Sequence, residues 1–209
     1  MTGTMMGQAA KKGRRADPQK DEAIIDAASA LFAARGYGVS IDEIAAAAGV
    51  SKQTIYARYA AKSDLLAAVV HRTAEDLVGP LSVSGLSLED ALTQFGDRFV
   101  DVVFAPAKID MQRLIIAEAQ AFPDLAESYY DNGPKFVRDR LALYLAKSCG
   151  AGRLAPLDAE EAAAQFVGLV IGSDHMSALM GLRPAPDERM RRARVRKAVA
   201  AFLKIYADV

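Results

Sequence analysis

The residues whose types and spacing can do chemistry gather between Ser51 and Ser63. Lys52, Gln53, Thr54, Tyr56, Arg58 and Lys62 all carry hydrogen-bond donors, and no aspartate or glutamate interrupts them. Donors without acids suit a polyanion. Cations and hydroxyls hold phosphates, while amides and hydroxyls read base edges in a major groove. Enzymatic chemistry finds no comparable cluster. The two histidines, His71 and His175, lie far apart, and neither has a metal-ligand spacing such as H-E-x-x-H. There is no G-x-S-x-G, P-loop or dinucleotide fingerprint. Cys149, the one cysteine, has Lys147 nearby but reads as structural; it excludes an internal disulfide and fits a reducing cytoplasm. No catalytic residue, metal or cofactor is expected.

Short helices must position those donors, and the flanking residues supply them. Ser40 and Glu43 form an S-x-x-E capping box at the start of a helix whose inner face is Ile44, Ala45 and Ala48. Gly49 stands where a left-handed turn ends that helix, Val50 plugs the corner, and Ser51 caps a second helix from Lys52 to about Ala57. Two short helices across a glycine turn form a helix-turn-helix, the geometry that lets the second helix enter a major groove. Upstream, Asp17-Pro18 starts a helix with Ile24, Ala28, Leu31 and Phe32 at helical spacing, stopped by Gly36-Tyr37-Gly38. Downstream, a longer helix runs from Lys62 to Val78 with Leu65, Leu66, Val69, Val70, Ala74 and Leu77 on one side. Gly79-Pro80 ends it, and Gly79 to Ser87 is the best linker candidate.

These residues resemble a known family. The run A-A-x-x-L-F-A-x-x-G-Y from Ala27 to Tyr37 is followed by Ser40, Ile44, Ala45, Gly49, Val50, Ser51, Thr54, Tyr56, Tyr59, Lys62 and Leu65 in matching order and spacing. Together they are similar to the TetR family of bacterial transcriptional regulators over about the first third of the chain. Ser40 stands where threonine is usual and Tyr59 where phenylalanine is usual, and both keep the chemistry. Asp21 stands near where a basic residue is often found, which weakens a phosphate contact from the first helix. The resemblance implies a homodimer on a near-palindromic double-stranded DNA operator. Lys52, Gln53 and Thr54 would reach base edges; Ser40, Tyr56 and Lys62 would hold phosphates; Arg58 would do either. Ser51 and Tyr59 complete the expected DNA-binding set.

Bulk properties agree with a globular chain. The 209 residues are 52% hydrophobic and 25% charged, long enough to bury a substantial core. The 26 basic and 26 acidic residues cancel, which argues against coating DNA indiscriminately but not against a local footprint. No apolar run approaches the roughly 20 residues that cross a bilayer, and the first residues lack a secretory signal's apolar centre, so no membrane partner and a cytoplasmic location are expected. Residues 1–16, with Lys11, Lys12, Arg14 and Arg15, read as a flexible basic arm. Such an arm tracks phosphates or merely solubilises a terminus, and the sequence supports both equally.

The expected division is a DNA-binding domain over 17–79, joined by its last helix to a helical domain over 80–209. Ser87 caps a helix through Val103, and Pro106 breaks it; a further helix spans about Lys108 to Ala121. Pro123 starts another piece, Gly133-Pro134 splits it, and a helix follows from Lys135 to Cys149. Asp158 caps one running to about Met180, and the last spans Asp187 to Ala207. No strand pattern appears, so the fold class is all-α. In this half Phe122-Pro123-Asp124-Leu125 and Tyr129-Tyr130 resemble one subgroup of the family, and the resemblance implies small-molecule binding and dimerisation. Phe95, Phe99, Val103, Met111, Ile115, Phe136, Phe166 and Val170 are the candidate ligand-binding residues, though each aromatic singly reads as core. Ala164, Gly168 and Gly172 recur every fourth residue, a smooth stripe for a dimer interface or for the chain's own last helix. Asp174-His175 is expected to be exposed, and the basic run Arg189, Arg191, Arg192, Arg194, Arg196 and Lys197 to be a solvated face. The function these features support is a sequence-specific regulator, a repressor released by a small-molecule effector. The alternative is a small-molecule carrier with a vestigial DNA-reading head, which would be expected to lose the donors of Lys52–Lys62.

Overall fold

The computed structural model describes residues 17–206, so the basic arm expected over 1–16 lies outside the described residues. Among them every regular element is helical. Helix α1 (Pro18–Arg35) starts where the Asp17 carboxylate accepts the Gln19 N–H at 3.2 Å. A short 3-10 turn at Gly36–Gly38 leads to α2 (Ile41–Ala48), α3 (Lys52–Tyr56) and α4 (Lys62–Val78). The remainder comprises α5 (Leu88–Val103), α6 (Pro106–Glu118), α7 (Pro123–Tyr130), α8 (Phe136–Gly150), α9 (Ala159–Ile171), α10 (Asp174–Leu179) and α11 (Glu188–Tyr206).

Two apolar cores hold these helices. The first collects Ile24 and Phe32 of α1, Ile44 of α2, Ile55 of α3 and Leu65, Leu66, Val69 and Val70 of α4. It is completed from outside its own segment by Met111 and Ile115 of α6. The second holds Ala74, Leu77 and Val78 of α4 with Phe95, Leu141, Phe166, Val195 and Phe202 from α5, α8, α9 and α11. The Phe166 and Phe202 rings meet edge to face, centroids 5.2 Å apart. Gly96 sits where α5 and α11 approach; a β-carbon there would lie 2.7 Å from Val195 Cγ1. One helix therefore serves both cores: the N-terminal turns of α4 belong to the first and its C-terminal turns to the second.

Three expectations need correction. The helix expected from Asp158 to about Met180 stops at Ile171, because Gly172 takes φ 60° and ψ −164°. Arg194 closes over the break, donating to the Ile171 carbonyl at 2.8 Å and pairing with Asp174. Gly133-Pro134 does not split a helix. Residues Asp131–Lys135 form one π-helical turn that joins α7 to α8 with helical backbone on both sides. Pro134 lacks an N–H and its ring crowds the preceding turn, and the wider π turn relieves both. The basic run on α11 is not wholly solvated. Arg191 and Arg192 pair with Asp101 of α5, and Arg192 also with Asp97, fastening the two helices together.

Candidate nucleic-acid interface and the cavity behind it

The reading helix is set by caps at each end of the turn. Ser40 Oγ accepts the Glu43 N–H at 3.3 Å, while Glu43 Oε2 accepts the Ser40 N–H at 2.8 Å. Arg35 reaches the other carboxylate oxygen at 2.7 Å. These bonds hold the exposed Glu43 carboxyl down at a pKa of about 2. Gly49 adopts φ 65° and ψ 30°, its N–H bonded to the Ala46 carbonyl and the Val50 N–H to that of Ala45, which closes α2 as a Schellman turn. Ser51 then caps α3, accepting the Thr54 N–H at 3.1 Å and sharing a hydrogen bond with the Thr54 hydroxyl at 2.9 Å.

The candidate DNA residues divide into two groups. Ser40, Ser51, Lys52, Gln53 and Tyr56 are exposed and Thr54 is half-buried, with Ile55 turned inward to anchor the helix. Lys52 donates to Asp42 of α2 at 3.0 Å, which raises its pKa above the usual lysine value. Arg58, Tyr59 and Lys62 face the body of the domain instead. The Tyr59 hydroxyl donates to Asp21 at 2.9 Å, and burial together with that bond pushes the phenol's pKa up. Arg58, with a side chain only 16% exposed, donates to the Thr54 carbonyl and lies 3.6 Å from the same aspartate. Lys62 lies over the Tyr37 ring at 4.2 Å and donates to the Tyr37 carbonyl, and desolvation lowers its pKa. Asp21 is thus the partner that Tyr59 and Arg58 share on α1, and all three side chains have partners within the domain.

Behind this domain lies a cavity of about 290 Å³ walled by seven helices and the π turn. Its apolar lining is Val70, Ala74 and Leu77 of α4, Phe99, Val102 and Val103 of α5, Pro134 and Val137, and Val167 and Ile171 of α9. Its polar lining is Thr73, Lys108, Gln112, Tyr129, Tyr130, Arg138 and His175. His175 Nε2 lies 2.8 Å from Gln112 Oε1. Burial lowers the pKa of Lys108 and of His175, and raises that of Tyr129 against the opposing pull of Gln112 beside it. Among the described residues no group of His, Cys, Asp or Glu side chains is placed to hold a metal ion. No described helix is long and apolar enough to cross a membrane.

Of the eight apolar ligand candidates, Phe99 and Val103 line this cavity. Phe95, Phe166 and Val170 are fully buried in the second core, and Met111 and Ile115 belong to the first. Phe136 borders a separate depression with Glu75, Arg140 and Tyr144. Helical spacing identifies an inward face but not which inward residues meet empty space. The polar lining was missed. Lys108 and Gln112, one turn apart on α6, are a sequence pattern that points both at one spot. His175, expected outside, is turned in because the chain breaks at Gly172. The Phe122–Leu125 segment lines a groove of about 600 Å³ against Tyr37 and Ser63. In the small-residue stripe Ala164 and Gly168 are exposed, and nothing lies within 4 Å of a β-carbon added at Gly168. The chain's own last helix does not cover them. Gly172 belongs to the helix break, where a β-carbon would meet Arg194 at 3.3 Å.

Comparison with known proteins agrees with this architecture. Residues 24–69 match the model for bacterial regulatory proteins of the tetR family. Residues 90–208 match that of the AefR-like transcriptional repressor C-terminal domain. A TetR-family transcriptional regulator from Mesorhizobium loti is 30% identical, with 93% of this chain and 100% of that chain covered at a TM-score of 0.74. The flavonoid-responsive regulator FrrA is 32% identical over 91% of this chain and 98% of its own, at a TM-score of 0.65. A TetR regulator from Agrobacterium tumefaciens is 29% identical over 90% and 94%, at 0.71. With the helix-turn-helix, the shared α4 and the walled cavity, the chain belongs to the TetR family of DNA-binding transcriptional regulators.

Proposed function

We propose that this regulator is a homodimeric repressor whose operator is released when a small molecule fills the cavity behind its DNA-binding domain. The observation that carries this reading is Val70, which lines the cavity and is also part of the first core. A ligand that moves Val70 moves the helix on which the reading head is built. Helix α6 adds a second link, since Lys108 and Gln112 face the cavity while Met111 and Ile115 pack under the head. Displacing α4 in each subunit changes the separation of the two α3 helices, so a fixed pair of half-sites no longer fits both. A coupling of about 1–3 kcal/mol suffices for regulation. Lys52, Gln53 and Thr54 of α3 meet base edges; Ser40, Ser51 and Tyr56 meet phosphates. Arg58, Tyr59 and Lys62 brace the head from within. The match to a repressor C-terminal domain supports repression, and likeness to a flavonoid-responsive regulator supports a ring-bearing effector.

The test is fluorescence anisotropy of the purified protein on promoter DNA of its own and neighbouring genes, across a salt series. The expected result is sequence-dependent binding of one dimer per near-palindromic site, with affinity falling steeply as salt rises. Binding indifferent to sequence would instead favour a carrier with an idle head.

A further inference from the structure

We infer that the cavity takes an apolar weak acid, a carboxylate or acidic phenol on a ring-sized hydrocarbon body, with its anionic oxygen against Lys108. The inference rests on the reading of this cavity as the effector site. Its wall carries two cationic side chains, Lys108 and Arg138, and no carboxylate. Elsewhere the joints between helices satisfy their cations: Arg113 with Asp110 and carbonyls of α10, Arg191 and Arg192 with Asp101, Arg194 with Asp174. Lys108 has no hydrogen bond or ion pair among the described residues. A half-buried ammonium without a counter-ion is costly, and an anion entering the cavity removes that cost. A cationic ligand would meet like charge, and a plain hydrocarbon would leave Lys108 further dehydrated.

The neighbours of Lys108 complete a polar end. Gln112 lies one turn along α6 and is bonded to His175, and Tyr129 stands beside it. Most of the remaining lining is apolar, including Leu77, Phe99, Val103, Val167 and Ile171. A ligand must therefore be acidic at one end and hydrocarbon at the other, and about 290 Å³ limits it to a small ring system. The lowered pKa of Lys108 agrees, since it records burial that no neighbouring acid offsets.

The experiment is calorimetric titration of the full-length protein at neutral pH with 2-naphthoate, its neutral amide 2-naphthamide and the cation 2-naphthylmethylamine. A fourth probe, 7-hydroxycoumarin, has an excitation spectrum that separates phenol from phenolate. The expected result is one naphthoate per subunit, bound about tenfold or more tighter than the amide. The coumarin should be held as phenolate if acidic phenols share the site, and as neutral phenol if carboxylates alone do; the carboxylate preference tests the proposal in both cases. Lys108→Met should bring naphthoate down to the level of the amide without changing the amide, and Lys108→Arg should keep the preference for acid. An amide or amine that binds as tightly as the acid, an acid preference that survives Lys108→Met, or no naphthoate binding at millimolar concentration would overturn the inference. Operator anisotropy on the unaltered protein separates the two readings. An acid held by Lys108 that leaves the operator bound counts against effector release alone. A protein released by some other compound yet indifferent to naphthoate counts against the acid alone.

Discussion

Glu43 shows how much of the reading head rests on one side chain. Its carboxylate is fixed by the Ser40 backbone, the Ser40 hydroxyl and Arg35, and its pKa falls from 4.5 to about 2. A carboxylate with a depressed folded pKa contributes stability that is complete above its unfolded value and is lost as pH falls through the folded one. Glu43→Gln keeps the size and most hydrogen bonds of the capping box but removes the charge. The variant should melt below the parent at pH 7, and the gap should close between about pH 4.5 and pH 2. Thermal melts across that range check it; a gap constant with pH would assign the effect to packing. Ser40, Glu43 and Ser51 were legible in the sequence because a cap bonds within its own turn. Arg58, Tyr59 and Lys62 were not, because their partners, Asp21 and the Tyr37 carbonyl, lie on another element. Donor type identifies a side chain that can meet phosphate, but only the tertiary neighbour shows which way it points.

At the scale of elements, the π turn between α7 and α8 joins the cavity to the shared helix. Gly133 is buried against α4, and a β-carbon there would lie 2.8 Å from Val70 Cγ1. Gly133→Ala should gain up to about 1 kcal/mol of helix propensity but lose about 1–3 kcal/mol to overpacking. The net effect is destabilisation, with operator affinity altered as Val70 is pushed toward the first core. Adding Val70→Ala should recover most of the loss. Denaturant melts of both single variants and the double variant give the coupling, and strictly additive effects would show that the two residues do not press on each other. Most helices and the N-terminal caps at Asp17, Ser87 and Asp158 were legible from spacing and local chemistry. Gly133-Pro134 and Gly172 were misjudged in opposite directions. A glycine-proline pair usually interrupts a helix, yet here a wider π turn accommodates Pro134 and carries the helix through. A lone glycine inside an apolar run usually continues one, yet here Arg194 stabilises the break.

At the scale of the molecule, the exposed face of α9 is where the proposed pairing of subunits can be tested. Ala164 and Gly168 lie in the open beside Leu169, which is 39% exposed despite being apolar. The subunit's own fold gives no reason for glycine at 168: its backbone is ordinary helix, and a side chain there would meet nothing. Glycine in an exposed helical position costs about 1 kcal/mol relative to alanine, so close approach of a second helix is the physical reason to keep one. Gly168→Glu should therefore leave the isolated subunit folded, with unchanged helicity and a melting temperature no lower than that of the parent monomer. In a symmetric pair it would place two carboxylates against each other across the two-fold axis, with no room for either. Analytical ultracentrifugation should then find monomer where the parent is dimer. Operator affinity should fall by about two orders of magnitude, because each head binds its half-site without the other's effective concentration. A Gly168→Glu protein that remained dimeric and held its operator normally would move the interface off this face, and Ala164 and Gly168 would then be surface residues without a partner.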